Sequence, residues 1–309
     1  MILCVNLNAA IDKTIVVNSL QLGEIHRPET VKSLPGGKGC NVARAVRQLG
    51  AVPVVTGWVG GLAGRFIEDG LQAEGIATDF VYTGLESRTC TSILNSADQV
   101  ITEFYEKGYP IPPAKVAEML DHFGRIVGDF EAVTLSGSLP PGVPADFYAQ
   151  LIRLAHAALV PVLLDSSGQA LRQGVTAQPS LIKPNQAEMA VLTDRSLSSL
   201  DEFADAAGEL ARRQRTIVVL SMGQEGAVVA HERDIFHVRN PRVQAVSAVG
   251  SGDCMLAGLA YGLANDLPLA EAAKIGVAAG TANTLVLGAG QFTKRDFDEV
   301  LSSTEIVLR

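Results

Sequence analysis

From residue 52 onward, short apolar runs alternate with longer amphipathic stretches, and this alternation restricts the possible folds more than any other property of the chain. The runs fall at 52–56, 132–135, 160–164, 181–182 and 216–220, with helix-length stretches at 64–74, 145–158 and 200–213 among them. Strand followed by helix, repeated, needs crossover connections and gives a mostly parallel sheet with helices on both faces. A first strand is predicted at 1–7. Four early segments, 14–20, 26–34, 89–95 and 99–106, break the alternation and read as short strands with partial period-two patterning. They are expected to form a small separate sheet. Their charged character suits a lid that excludes water from a site.

The bulk properties narrow the partners. A net charge of −8 argues against nucleic acid or an anionic membrane as the main partner. Cys4, Cys40, Cys90 and Cys254 are far apart, with no CxxC pair, which predicts a reducing cytoplasm and no structural zinc. No signal peptide is expected, because no basic segment precedes an apolar one at the N-terminus. The uncharged run 275–293 contains polar residues and several glycines and reads as buried helix and loop, not as a membrane span. No repeat or low-complexity linker divides the 309 residues.

Four small-residue motifs carry the candidate chemistry. Gly250-Ser251-Gly252-Asp253 opens a helix-like run that reaches Ala264. Such a turn leaves backbone N–H groups free at a helix start, and donors plus dipole make an anion site. A carboxylate there could take a proton from an attacking hydroxyl while the amides hold a phosphoryl group. The same four residues could equally be a turn with Asp253 as helix cap. Gly36-Gly37-Lys38-Gly39 leads into a second helix, where Asn41 offers both a donor and an acceptor for hydroxyls; a turn plus cap is the alternative. Lys183-Pro184-Asn185 with Glu188 lies where an apolar strand meets a helix, the usual ligand position in open parallel sheets. Glu188 could hold water around Mg²⁺, or could simply favour the helix dipole. Ser221-Met222-Gly223-Gln224-Glu225-Gly226 could run alongside a nucleotide but reads better as a hairpin turn.

Taken together and in this order, these motifs resemble those of the ribokinase-like carbohydrate kinases. Asn8-Ala9-Ala10-Ile11-Asp12, Ser136-Gly137-Ser138-Leu139-Pro140-Pro141-Gly142 and Asp165-Ser166-Ser167-Gly168 agree as well. The pattern is similar to the phosphofructokinase B branch over nearly the whole chain. The resemblance implies a single domain spanning 1–309, α/β and Rossmann-like, with lid strands near 13–34 and 88–107 and a homodimer formed through the lid. It also implies ATP with Mg²⁺ and a sugar-phosphate acceptor. By position, Asp253 resembles the catalytic base and Gly250, Ser251 and Gly252 the anion hole. Asp12, Gly37, Lys38 and Asn41 resemble sugar-binding residues, and Arg88 and Ser138 the positions that bind the sugar's phosphate. Lys183, Asn185 and Glu188 match the ATP and Mg²⁺ side; Ser221, Gly223, Gly226 and Asn283 match the nucleotide pocket.

A dianionic acceptor wants cations even in an acidic chain, and Lys38 and Arg88 are the candidates, Arg being suited to bidentate phosphate contacts. The expected reaction is phosphorylation of fructose 1-phosphate to fructose 1,6-bisphosphate. Tagatose 6-phosphate and then fructose 6-phosphate are the alternative acceptors. A non-catalytic sugar-phosphate or nucleotide sensor is the reading from a different class. The segment Thr102-Glu103-Phe104-Tyr105-Glu106-Lys107-Gly108 is closer to tagatose-6-phosphate kinases, whereas Gly23-Glu24-Ile25 with Arg27 resembles 1-phosphofructokinases. Cys40 and Cys254, beside the expected site, predict sensitivity to thiol reagents with protection by substrates.

Overall fold

The computed structural model describes residues 1–28 and 30–308. In chain order the first half contains β1 (Ile2–Asn6), β2 (Ala10–Val17), β3 (Thr30–Gly36), α1 (Lys38–Gln48), β4 (Pro53–Val59), α2 (Gly61–Ala73), β5 (Ala77–Tyr82), β6 (Arg88–Asn95), β7 (Val100–Tyr105) and α3 (Pro113–Ile126). There follow β8 (Ala132–Ser136), α4 (Phe147–Ala157), β9 (Val162–Asp165), α5 (Gly168–Val175), β10 (Leu181–Ile182), α6 (Gln186–Thr193) and α7 (Leu200–Gln214). The chain ends with β11 (Ile217–Ser221), β12 (Ala227–His231), β13 (Asp234–Arg239), α8 (Ser251–Ala264), α9 (Leu269–Asn283), α10 (Lys294–Ser303) and β14 (Glu305–Leu308).

The large sheet has the order β14-β13-β12-β11-β10-β9-β8-β1-β4-β5. The seven strands from β11 to β5 run parallel. Strand β1 shows why the sequence reads as an unbroken apolar run. Its Ile2 and Cys4 enter the core under α1, α2, α8, α9 and α10, while Leu3 and Val5 enter the core under α3 to α7. A strand covered on both faces has no reason to alternate with polar residues. Helices α8 and α9 pack closely because their contact is made of small residues. A Cβ on Gly258 would stand 2.6 Å from the Gly276 Cα, so neither helix can carry a side chain there without moving.

The small sheet, β3-β2-β6-β7, is separate, as the period-two segments suggested. Strand β2 pairs antiparallel with β3 and parallel with β6. The boundaries differ from expectation. β2 starts at Ala10, not 14, directly after the turn that leaves β1, and β3 starts at Thr30. Residues 26–28 are not in a strand, and Glu29 lies outside the described residues. Four strands of the large sheet, β5 and the antiparallel β12, β13 and β14, are additions to the expected alternation. The run 275–293 divides between α9 and a loop, and among the described residues no helix is long and apolar enough to cross a membrane.

Candidate active site

The parallel strands deliver the site at their C-terminal ends. Asn6, Ser136 and Asp165 end β1, β8 and β9 side by side in register. Lys183 follows β10 directly, and Ser221 ends β11, bridged to Asn185. After β1 the chain builds outward on one side through β4 and β5, then on the other through β8 to β11. Ligands in open α/β sheets bind at such a switch point.

Helix α1 supplies the next groups. Its N-cap Gly37 has φ +97, and a Cβ there would stand 2.6 Å from the Asn6 Oδ1. Only glycine lets the loop lie this flat on β1. The helix start therefore points Lys38 and Asn41 over the strand ends. Lys38 Nζ lies 3.0 Å from Asp165 Oδ2 and 3.9 Å from Asp253 Oδ1. Asn41 Nδ2 donates to Asp253 Oδ2 at 2.9 Å.

Helix α8 supplies the carboxylate. Gly250 is its N-cap, left-handed at φ 85, with no side-chain cap bond, so Asp253 is a buried first-turn residue rather than a cap. The Ser251 N–H turns back to Ala248 O and the Cys254 N–H bonds Gly250 O, the first helical bond. Helix geometry leaves the amides of Gly252 and Asp253 pointing out of the helix start. Lys183 Nζ sits 3.3 Å from where a Cβ on Gly252 would be, and 3.4 Å from Asp165 Oδ2. Two ammonium groups and a helix N-terminus thus converge on one place, which suits an anion in a chain that is acidic overall.

The electrostatics separate the two buried carboxylates. Burial would raise Asp165, but Lys183 and Lys38 outweigh it and hold that carboxyl below the usual range. Burial raises Asp253 to about 6, against the opposing pull of Lys38, Asn41 and Lys183 and with the help of Asp165. Burial also raises Asp12 and Glu188. For Lys38, burial opposes the charge, yet Asp165 and Asp253 prevail and its ammonium is held more tightly than usual. Environments that push two carboxylates apart assign different tasks to them: Asp165 anchors cations and Asp253 can accept a proton near neutral pH.

The remaining expected residues take varied places. Arg88 lies on β6 at the base of the small sheet, its Nε donating to Asn8 O (3.1 Å) and its Nη1 to Glu106 O (2.8 Å). These bonds fix the guanidinium along a cleft that Ser87, Gly108 and Tyr109 also line. Ser138 Oγ accepts from Asn8 Nδ2 at 3.1 Å, which joins it to the same wall. Asp12 lies on β2 against Gly36. Asn185 and Glu188 form a reciprocal capping box at the start of α6, at 2.9 Å both ways. Ser221 Oγ donates to Pro184 O at 3.3 Å, which ties two of the motifs together. Gly223 and Gly226 shape the connection between the antiparallel β11 and β12, so the hairpin expectation describes this segment.

The structure bears on two further expectations. The resemblance matches Asn283 to the nucleotide pocket. That residue is fully enclosed, and its Nδ2 donates to Gly288 O (2.8 Å) and Gln291 O (2.7 Å), so it clamps the loop after α9. Cys40 and Cys254 adjoin the site but are fully buried, and burial pushes the Cys40 thiol up to about 12 and Cys254 well above its ordinary value. A protonated, enclosed thiol is unreactive. Asp165 was legible only as part of a motif, with no role attached; its place opposite two lysines makes it central. Asn6 carried no signal beyond its position at the end of the first strand.

The donor set can be tested against a divalent ion. Among the described residues no three His, Cys, Asp or Glu side chains gather into a cage. Glu188 is half-buried, and burial raises its proton affinity against the Asn185 N–H, with Asp165 adding to the rise and Lys183 and Lys38 opposing it. One carboxylate beside an anion site fits Mg²⁺, which keeps several waters and takes phosphate oxygens as ligands.

A proton acceptor beside two ammonium groups over a helix start defines a phosphotransferase with a hydroxyl acceptor. The profile described as pfkB family carbohydrate kinase matches residues 5–295, and the chain belongs to that family. Among solved structures, Escherichia coli phosphofructokinase-2 in complex with fructose-6-phosphate is 27% identical, with 98% of each chain covered and a TM-score of 0.89. The same E. coli enzyme is also known in a tetrameric inhibited form, at 27% identity, 98% coverage of each chain and a TM-score of 0.90. A Thermotoga maritima protein, a candidate 1-phosphofructokinase, is 26% identical, with 100% of this chain and 99% of that one covered and a TM-score of 0.89.

Proposed function

We propose that the chain transfers the γ-phosphoryl group of ATP to a hexose phosphate, with fructose 1-phosphate as acceptor and fructose 1,6-bisphosphate and ADP as products. The observation that carries this reading is Asp253, a buried carboxyl raised to about 6, at the start of α8 between two lysines. MgATP, when bound, supplies the transferable phosphoryl group, with Mg²⁺ offsetting phosphate charge on the side of Asn185 and Glu188. Asp253 accepts the proton of the acceptor hydroxyl as its oxygen bonds to phosphorus and the bond to the ADP oxygen breaks. The amides of Gly250, Gly252 and Asp253, with Lys183, hold the transferring anion, while the Ser251 N–H is taken by Ala248 O. Asp12, Gly37, Lys38 and Asn41 orient the sugar, while Arg88 and Ser138 hold its phosphate. Ser221, Gly223 and Gly226 flank the nucleotide. The small sheet acts as a lid on a single domain, and positioning with charge stabilisation provides the rate.

The reading includes a reducing, cytoplasmic setting, supported by four unpaired cysteines. It also includes a homodimer through the lid, whose strands expose Val31, Val100, Ile101, Phe104 and Tyr105. Phe104→Asp should then lower the mass seen in sedimentation; an unchanged mass refutes that contact. A second reading, fructose 6-phosphate as acceptor, is favoured by the ligand of the E. coli structure.

The deciding experiment measures ADP release from MgATP with fructose 1-phosphate, fructose 6-phosphate, tagatose 6-phosphate and free fructose, beside an Asp253→Asn control. The highest kcat/KM is expected for fructose 1-phosphate, with kcat reduced by roughly 10²–10⁴-fold in the variant. Preference for another sugar phosphate replaces the acceptor. Nucleotide binding without turnover on any acceptor favours the sensor.

A further inference from the structure

Helix α1 carries a buried arginine that the mechanism above does not use. Arg44 is 6% exposed and lies one turn beyond Asn41. Its Nε donates to Glu74 Oε2 (2.6 Å) and its Nη2 to Glu74 Oε1 (2.9 Å) and to Pro35 O (2.7 Å). Its Nη1 donates to Asn41 Oδ1 at 3.2 Å. The other end of that amide, Nδ2, donates to Asp253 Oδ2. A line of hydrogen bonds therefore runs from Glu74, at the end of α2, through Arg44 and Asn41 to the carboxylate on α8.

We propose that Arg44 is a positioning residue for phosphoryl transfer: by holding the Asn41 oxygen it fixes the amide so that its N–H₂ group faces Asp253. The inference rests on the reading of Asp253 as the base. Its warrant is the chemistry of the two side chains. A guanidinium has five donors and no acceptor, so the amide atom facing it must be the oxygen. An amide without that constraint can turn over and offer its oxygen to Asp253. Two acceptors then face each other unless the carboxyl is protonated, so the turned amide favours the protonated, inactive form.

The charges around this line act in known directions. Lys38 on α1, Asp165 at the end of β9 and Lys183 after β10 are the charged groups acting on Asp253. Glu74 at the end of α2 and Asp12 on β2 act on Arg44, while the neighbouring Cys40 thiol is neutral. The bidentate pair with Glu74 offsets the guanidinium charge, which leaves the oriented amide as the route from Arg44 to Asp253.

The test compares wild type, Arg44→Gln, Arg44→Lys and Asp253→Asn, each also in an Asn41→Ala background, by pH profiles of kcat with the best acceptor. Arg44→Gln should lower kcat by up to about 10²-fold, the scale of a small misplacement, and move the acidic limb to higher pH without changing the KM for ATP. Arg44→Lys should move the limb the same way, since one ammonium cannot reproduce the fork that holds Glu74 and Asn41 together. It also serves if Arg44→Gln does not fold. In the Asn41→Ala background neither Arg44 change should move the limb further. An unmoved limb in both Arg44 variants overturns the proposal, as does a shift that persists without Asn41. If Asp253→Asn keeps turnover and the acidic limb, the base assignment falls and the proposal with it. A limb lost in Asp253→Asn but unmoved in both Arg44 variants removes the Arg44 proposal alone.

Discussion

Asp165 holds the Lys38 ammonium at 3.0 Å and thereby keeps it 3.9 Å from Asp253. The closer carboxylate takes most of the cation's stabilisation. Asp165 stays ionised and its neighbour remains basic enough to take a proton.

Replacing Asp253 by Asn should stabilise the protein, and by more at pH 8 than at pH 4. The folded-state pKa of about 6 lies above the value in an unfolded chain. The native state therefore binds this proton more tightly, and its contribution to stability is complete below roughly pH 4 and lost as pH rises through about 6. Above that pH wild type carries a cost of about 2–3 kcal/mol that the variant lacks. Chemical denaturation at the two pH values reads the difference; a gain that is larger at pH 4 contradicts the raised pKa.

Asp165→Asn should do the opposite. It leaves Lys183 buried without its carboxylate, and breaking such a pair costs about 3–5 kcal/mol. Because the Asp165 pKa is depressed, its contribution is present above the ordinary carboxylate range and lost as pH falls through the lower folded value. The loss on substitution should be full at pH 7 and shrink in strong acid. A Tm at pH 7 equal to that of wild type would show that the lysines find another partner.

Thiol labelling should be slow in the native protein and complete on unfolding, since all four cysteines are buried. Substrates should slow labelling of Cys4, within β1, as much as labelling of Cys254, because both then report opening of the fold. Fast native labelling confined to Cys40 and Cys254, with Cys4 unreactive, would instead place those two within reach of solvent.

The sequence made six of the seven parallel strands readable because strands buried on both faces appear as short apolar runs, whereas the edge strand β5, buried only at Val81, was missed. It also made the site's loops readable, because turns at strand ends need glycine, as at Gly37 and Gly250. The antiparallel edge from β12 to β14 was hidden, since β12 and β13 form a hairpin with no helix between them and β14, four residues long, joins only after α8, α9 and α10. Asn283 shows a different limit. An amide near a site and an amide that clamps a loop have the same letter, and only the carbonyls around it distinguish them. Arg44 stayed silent for the same reason, as an interior arginine and a surface arginine look alike until Glu74 and Pro35 are brought beside it.

The hydrogen bond from Asn41 to Asp253 joins groups 212 residues apart. Contacts that close such long stretches of chain form late, because the closing entropy is lost before the contact repays it. A chain still emerging during synthesis can hold Lys38, Asn41, Asp165 and Lys183 while lacking its proton acceptor. Return of turnover during refolding would therefore time the meeting of the two ends of the molecule, after circular dichroism has already registered its helices.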